Sequence, residues 1–355
     1  MQFSQGKSKA KGKVCRSFFV SVIMKVLFIG GTGNISASVS RQAVDRGIEL
    51  YLLNRGKSNS GIAGAQSIIG DLTHPEDIKS LLKEHQWDAV VNWIAFREQD
   101  IDRDYELFRG KTNQYVFISS ASVYQKPLAF PIVTESTPLA NPYWQYSRDK
   151  ISCELKLNDY YRQEQFPVTI VRPSLTYDTV LPVPIGGWTE YTIVDRIKKG
   201  KKIIVHGDGT SLFTITHADD FAKGFLGLLG HQQAIGESFH ITSDEILTWN
   251  QIHQALAKAV GSEAKIVHIP SEILATFADE LRGSLIGDKS TSIIFDNTKI
   301  KRFVPGFSAV IPFNRGIQRT VDWFEADPAR QIIKIETDDW IDIIINQFEK
   351  AFKIS

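Results

Sequence analysis

Residues 25–29, Lys-Val-Leu-Phe-Ile, form a short apolar run that stops at Gly30-Gly31-Thr32-Gly33. A strand apolar at successive positions has no face to give to water, so it belongs inside a parallel sheet covered on both sides. The glycines then let the backbone turn sharply into a helical stretch at 36–46. The alternation repeats down the chain, with strands expected at 49–53, 66–69, 88–94, 115–119 and 168–171 and a helix at 75–84. Buried strands alternating with helices predict an α/β fold on an open, doubly wound parallel sheet.

After Arg172-Pro173 the composition shifts to Pro182, Pro184, Gly186, Gly187 and Trp188, a loop-rich stretch that should leave the sheet. We therefore expect a sheet domain at 25–180, to which 217–245 returns, and a smaller C-terminal lobe at 181–216 and 246–330. The cleft between the two is the default ligand site. Trp340, Ile341, Ile344, Ile345, Phe348 and Phe352 recur at helical spacing, so the segment 331–355 should carry a packing helix.

Five basic residues (Lys7, Lys9, Lys11, Lys13 and Arg16) fall in residues 1–24, where no acidic residue occurs; the remaining 36 basic against 40 acidic residues make a mildly acidic body. That balance speaks against a nucleic-acid footprint. The basic start precedes only a six-residue apolar stretch, 18–23, with no small-residue cleavage site, which fits a disordered or upstream extension better than a secretion signal. No run approaches the roughly 18 apolar residues of a membrane span. Two cysteines, Cys15 and Cys153, suit a reducing cytoplasm. His206, His217, His240, His253 and His268 lack metal-type spacing, so no metal site is expected.

Gly30, Gly33 and Ser36 hold the places of a GxxGxxG fingerprint, after a strand and at a helix start. In that context the turn lets a pyrophosphate approach the backbone and meet the helix N-terminus. Serine is small enough to stand in the third place. The second strand ends in Leu53-Asn54-Arg55-Gly56-Lys57, without the acidic residue that reads an NAD ribose. Arg55 suits a 2′-phosphate, which leans the expectation to NADP over NAD. Asp71 is a candidate for the adenine side of the pocket and equally for a helix cap.

Tyr146 and Lys150 stand four apart on a predicted helix and so share a face. There the ammonium would lower the phenol pKa from its usual value of about 10. With Ser119, Ser120 and Ser122 at a strand end before them, these elements read as a hydride-transfer site.

In this order the residues resemble the extended short-chain dehydrogenase/reductase family, which includes nucleotide-sugar epimerases and dehydratases. The likeness spans about residues 25–325. It rests on Gly30-Gly31-Thr32-Gly33-Asn34-Ile35, Gly70-Asp71-Leu72, Ile118-Ser119-Ser120-Ala121-Ser122-Val123-Tyr124, Tyr146 with Lys150, Arg172-Pro173, and His206-Gly207-Asp208-Gly209 ahead of His217-Ala218-Asp219-Asp220. It implies a Rossmann-type dinucleotide-binding domain with a smaller substrate-binding lobe. By the same resemblance Tyr146 is the general acid/base, Lys150 meets the nicotinamide ribose, and Ser120 bonds the reacting oxygen. Cofactor contacts are implied at Gly30, Thr32, Gly33, Asn34, Ile35, Arg55, Asp71, Leu72, Ala95 and Pro173, and substrate contacts at Ser122 and Trp188. Members often pair through the helix carrying the tyrosine, so a homodimer is implied as well.

Two departures narrow the reading. Dehydratases of the family carry an acidic pair after the catalytic hydroxyl residue, where this chain has Ala121 and Ser122. Nucleotide-sugar enzymes carry a diphosphate-binding arginine where it has Phe213. The expectation is an NAD(P)-dependent oxidoreductase or epimerase acting at a secondary alcohol of a sugar or related polyol. The chain is also similar to the chloroplast stem-loop-binding branch of the family, which leaves a non-catalytic cofactor-binding or RNA-binding member as the alternative.

Overall fold

The computed structural model describes residues 23–56 and 61–352, so the basic start, with Cys15, and Lys57 lie outside the described residues. Seven strands form one parallel sheet: β1 (Lys25–Ile29), β2 (Glu49–Asn54), β3 (Gln66–Ile69), β4 (Ala89–Asn92), β5 (Tyr115–Ile118), β6 (Val168–Pro173) and β7 (Ser238–Ile241). Their order across the sheet is β3-β2-β1-β4-β5-β6-β7. Val26 of the central strand faces Leu50 on one side and Ala89 on the other.

Helices α1 (Ser36–Asp45), α2 (Pro75–Leu81), α3 (Glu98–Phe108), α4 (Gln145–Glu164) and α5 (Ala218–Leu228) cover the sheet. Side chains alternate across the pleat. Val26 and Phe28 therefore pack with Val39 and Ala43 of α1 and Phe221 and Phe225 of α5. Leu27 and Ile29 pack on the other face with Ile78, Ile101 and Leu157, from α2, α3 and α4. The largely polar sequence of α3 does not announce a helix. Ile101, Tyr105, Leu107 and Phe108 mark the face it buries, together with Asp104.

A second apolar cluster gathers Tyr177, Leu181, Ile193, Phe213, Trp249 and Ile317, with Ala121, Tyr124 and Val133 joining it from the earlier part of the chain. Short parallel pairs brace this region, Lys202–His206 with Lys265–Ile269 and Leu175–Tyr177 with Ile215–His217. The last helix, α6 (Ile335–Phe352), lays Ile341, Ile344 and Ile345 against Ile185, Ile204 and Ile269. Fully buried Arg196 donates to Asp338 and Asp342 of α6, so the helix is held by charge as well as by burial. Among the described residues no helix is long and apolar enough to cross a membrane.

Strand β1 lies at the point where the sheet grows in both directions, with β2 and β3 to one side and β4 to β7 to the other. In such sheets the crevice outside the carboxyl ends of the strands is where ligands bind.

Candidate active site

A cavity of about 550 Å³ follows the carboxyl ends of β1 to β4, lined by Gly30, Thr32, Asn54, Arg55, Gly56, Asp71, Leu72 and Ile94 among others. Gly30 and Gly31 are both left-handed, with φ +91° and +99°, and a Cβ on Gly31 would come within 2.7 Å of Leu52 Cδ2. The steric demand for glycine thus falls on Gly31 as much as on the fingerprint positions. Gly33 has no positive φ. Its N–H donates to Ser36 Oγ at 2.8 Å, so the serine in the third place locks the turn. At the N-cap of α1 stands Ile35, which offers no side-chain acceptor, and the first turn holds no acidic residue. The N–H groups of Gly33 and Ala37 are taken within the turn; the N-terminus of the helix otherwise fits an anion, and a dinucleotide's pyrophosphate suits the cleft.

Five of the residues expected to touch a cofactor, Gly30, Thr32, Arg55, Asp71 and Leu72, line this cavity. Others do not. The Asn34 side chain donates to the Thr176 carbonyl and accepts from the Asp178 N–H, tying the turn to the neighbouring strand. Ile35 packs into the core beneath the sheet. Both side chains are spent on structure, which leaves only their backbone to face a ligand. Asp71 accepts from the Thr73 N–H and hydroxyl, bonds that hold its carboxyl below the usual range. Because the N-cap of α2 is His74, Asp71 closes a turn and does not cap the helix. Arg103 also borders the cavity, but it is committed to Asp100 and Asp104.

A second cavity, of about 430 Å³, brings together Ser120, Ser122, Tyr146, Pro173 and Trp188. At the end of β5 the chain makes one 3₁₀ turn, Ala121–Val123, with Ser120 Oγ accepting from the Ser122 N–H at 3.2 Å. The two hydroxyls lie 2.9 Å apart, and Ser147 Oγ donates to Ser122 Oγ at 2.7 Å. Lys150 lies on the same face of α4 as Tyr146, its Nζ 5.9 Å from the ring centroid. That ammonium donates to the carbonyls of Ala95 at 2.6 Å and Ile118 at 2.8 Å. Ala95 is fully buried and takes part through this carbonyl alone. Burial brings the Lys150 pKa down to about 8.

The expected lowering of the Tyr146 pKa is not found. Burial pushes the phenol up, the Ser120 hydroxyl offsets part of the rise, and the Asp288 carboxylate adds to it. Lys150 is aimed at two backbone carbonyls, and desolvation of a phenolate outweighs an ammonium so placed. Ser147, Asn141, Asp288 and Lys289 are further site residues that the sequence reading did not reach. Ser147 adjoins Tyr146 and had a signal of position; Asn141 comes from a loop, and Asp288 and Lys289 from the irregular helical segment Arg282–Lys289, which only the folded chain brings near.

Fold and site together define an α/β protein of the dinucleotide-binding type, with a serine, a tyrosine and a lysine gathered beside the cleft at its strand ends. Residues 26–242 match the model of the NAD dependent epimerase/dehydratase family, and the chain belongs to this family of enzymes. Among curated proteins, the chloroplast stem-loop binding protein of 41 kDa b from Arabidopsis thaliana is 28% identical over 259 residues, 69% of this chain and 65% of that protein. Among solved structures, epimerase Mth375 from Methanothermobacter thermautotrophicus superposes with a TM-score of 0.70 at 18% identity, covering 86% of this chain and 94% of that one. A dTDP-glucose 4,6-dehydratase from Bacillus anthracis in complex with NAD gives 0.68 at 20% identity, covering 86% and 98%.

Proposed function

We propose that the protein is an NAD(P)-dependent oxidoreductase or epimerase acting at a secondary alcohol of a sugar or related polyol, with Tyr146 carrying the hydroxyl proton. The reading rests on one observation, the joining of the two cavities by Lys150. It bonds Ala95, which follows Ile94 of the first cavity, and Ile118, two residues before Ser120 of the second. A nicotinamide dinucleotide, when bound, supplies the hydride acceptor or donor.

The chain's own groups then have separable tasks. With hydroxyl polarity running from Ser147 through Ser122, Ser120 Oγ accepts from both the N–H and the hydroxyl of Ser122. Its own hydroxyl hydrogen, which faces the Tyr146 phenol, is the one that can bond the reacting oxygen. Tyr146 lines the same cavity and accepts or returns the proton of that oxygen. Lys150 is a positioning group here, held rigidly enough to orient a ribose beside the tyrosine. Arg55 at the edge of the first cavity supports NADP, while the NAD held by the dehydratase named above supports NAD. An RNA-binding reading takes its support from the name of the chloroplast relative, and the polar hydroxyl set of the second cavity weighs against it.

The test is Tyr146→Phe, assayed against a panel of sugars and polyols by nicotinamide absorbance, with cofactor affinity measured separately. Turnover should fall by about 10²- to 10⁴-fold, with cofactor affinity kept within about twofold because no pyrophosphate contact is lost. Turnover that survives the substitution sinks the assignment.

A further inference from the structure

We propose that the substrate carries a single carboxylate seated on Lys289 and an apolar face held between Trp144 and Trp188. This rests on Ser120 and Tyr146 being the reacting centre, as proposed above. One wall of their cavity is Arg282–Lys289, wound as a π-helix, a form frequent at functional sites. It packs hard on Trp144: a Cβ on Gly283 would come 2.2 Å from Trp144 Cδ1, and one on Gly287 3.0 Å from Trp144 Cβ.

Three bonds set where this wall ends. The Lys289 carbonyl accepts from Trp249 Nε1 at 3.0 Å and lies 3.2 Å from His206 Nε2. The Gly287 carbonyl accepts from Asn141 Nδ2 at 2.7 Å, and the same amide donates to the Ser122 carbonyl at 2.8 Å. Asn141 thereby keeps the lysine wall in register with the serine loop.

Lys289 is 9% exposed, and its ammonium has Asp288 Oδ2 at 3.1 Å, a long contact to the Ser284 carbonyl at 3.4 Å and the Trp144 ring, whose centroid lies 5.6 Å away. An ammonium has three donors, so one remains for a ligand. Buried Lys126 reaches the Asp288 carbonyl at 3.3 Å. Burial and the neighbouring Lys289 lower the Lys126 pKa and the Asp288 carboxylate offsets part of that; with both ammonium groups charged, two against one carboxylate leave a single positive charge in a poorly hydrated wall, where an unmatched charge is costly. A monoanion completes it. A phosphate monoester, at about −1.5 to −2, overshoots. Among the described residues lining the cavity there is no arginine to fork a diphosphate. Apart from Ser174 and Ser284 the rest of the lining is apolar, including Leu175, Pro182 and Val183 with the two tryptophans.

The experiment is calorimetric titration of the protein, with and without NAD, using D-glucuronate and mandelate, each beside its neutral amide, and UDP. At least one acid should bind about tenfold tighter than its amide and tighter than UDP. That gap should close to about twofold in Lys289→Met and persist in Lys289→Arg. Equal binding of acid and amide in both pairs, no binding of either acid, tighter binding of UDP, or a gap that survives Lys289→Met overturns the proposal. If Lys289→Met does not fold, the comparison of acid with amide in the wild type and in Lys289→Arg decides. Failure of the wild type to bind NAD falls instead on the proposed function, since the charge preference is read without cofactor too.

Discussion

Lys150 donates to the Ala95 carbonyl across 2.6 Å, so the ammonium of α4 is pinned to the backbone just beyond β4. A second bond reaches the Ile118 carbonyl of β5. Two neutral acceptors do not repay burial, which brings the pKa down to about 8.

That depression fixes a sign. In the unfolded chain lysine titrates near about 10.4. Between pH 8 and that value the unfolded chain holds a proton that the native chain has released, so stability rises with pH across this window and the term is flat below it. Relative to Lys150→Met, the wild type should gain about 3 kcal/mol over the window. Urea unfolding at stepped pH measures it, and parallel curves for the two proteins would show that Lys150 is not the titrating group.

Arg55 stands exposed at the edge of the first cavity, close enough to Asp71 to help lower that carboxyl. A guanidinium there can bond a 2′-phosphate, and such charge-assisted bonds contribute about 1.5–3 kcal/mol. Arg55→Asp should therefore move the ratio of NADP to NAD affinity toward NAD by about tenfold or more. Titration of both dinucleotides reads the ratio directly. No change would mean that Arg55 does not meet the ribose.

The sheet was legible because parallel strands buried on both faces are unbroken apolar runs, and β1 lies where such a run does; β3 has the expected bounds although it is an exposed edge strand that opens on Gln66 and Ser67. Boundaries failed where apolarity outlasts structure. Trp93 and Ile94 continue the β4 pattern, yet the strand ends at Asn92, whose side chain accepts the Ile94 N–H and begins the turn. Ser120, Tyr146 and Lys150 were legible because short motifs carry them. Asp288 and Lys289 were not, because they reach the site through a π-helix whose seat is made by Trp144, Asn141 and Trp249. The direction of the Tyr146 shift needed burial, which no spacing reveals.

Arg172 of β6 and Glu154 of α4 form a buried pair, with bonds of 2.9 and 2.6 Å, so the helix that carries Tyr146 is fastened to the sheet by charge. Removing one partner strands the other in a dry site. Glu154→Ala should cost about 3–5 kcal/mol, whereas the paired change Glu154→Leu with Arg172→Met should return most of it. Chemical denaturation of the three proteins tests this, and a single variant as stable as the double would show that water relieves the orphaned guanidinium.

Trp188 borders the second cavity at 46% exposure with a left-handed φ of +62°, an arrangement few residues other than glycine adopt. Paired bonds with Leu181, 2.8 Å in one direction and 2.7 Å in the other, hold it there. Truncation to alanine removes the indole but keeps the Cβ that makes this backbone costly; truncation to glycine removes both. Trp188→Gly should therefore be more stable than Trp188→Ala by about 1 kcal/mol, the reverse of the usual order for an ordinary backbone. Both should lose ligand affinity alike, since the same aromatic wall is gone. Denaturation midpoints of the two variants decide it: an alanine variant at least as stable as the glycine one would mean that the backbone relaxes once the indole leaves, and that the tryptophan itself holds the turn.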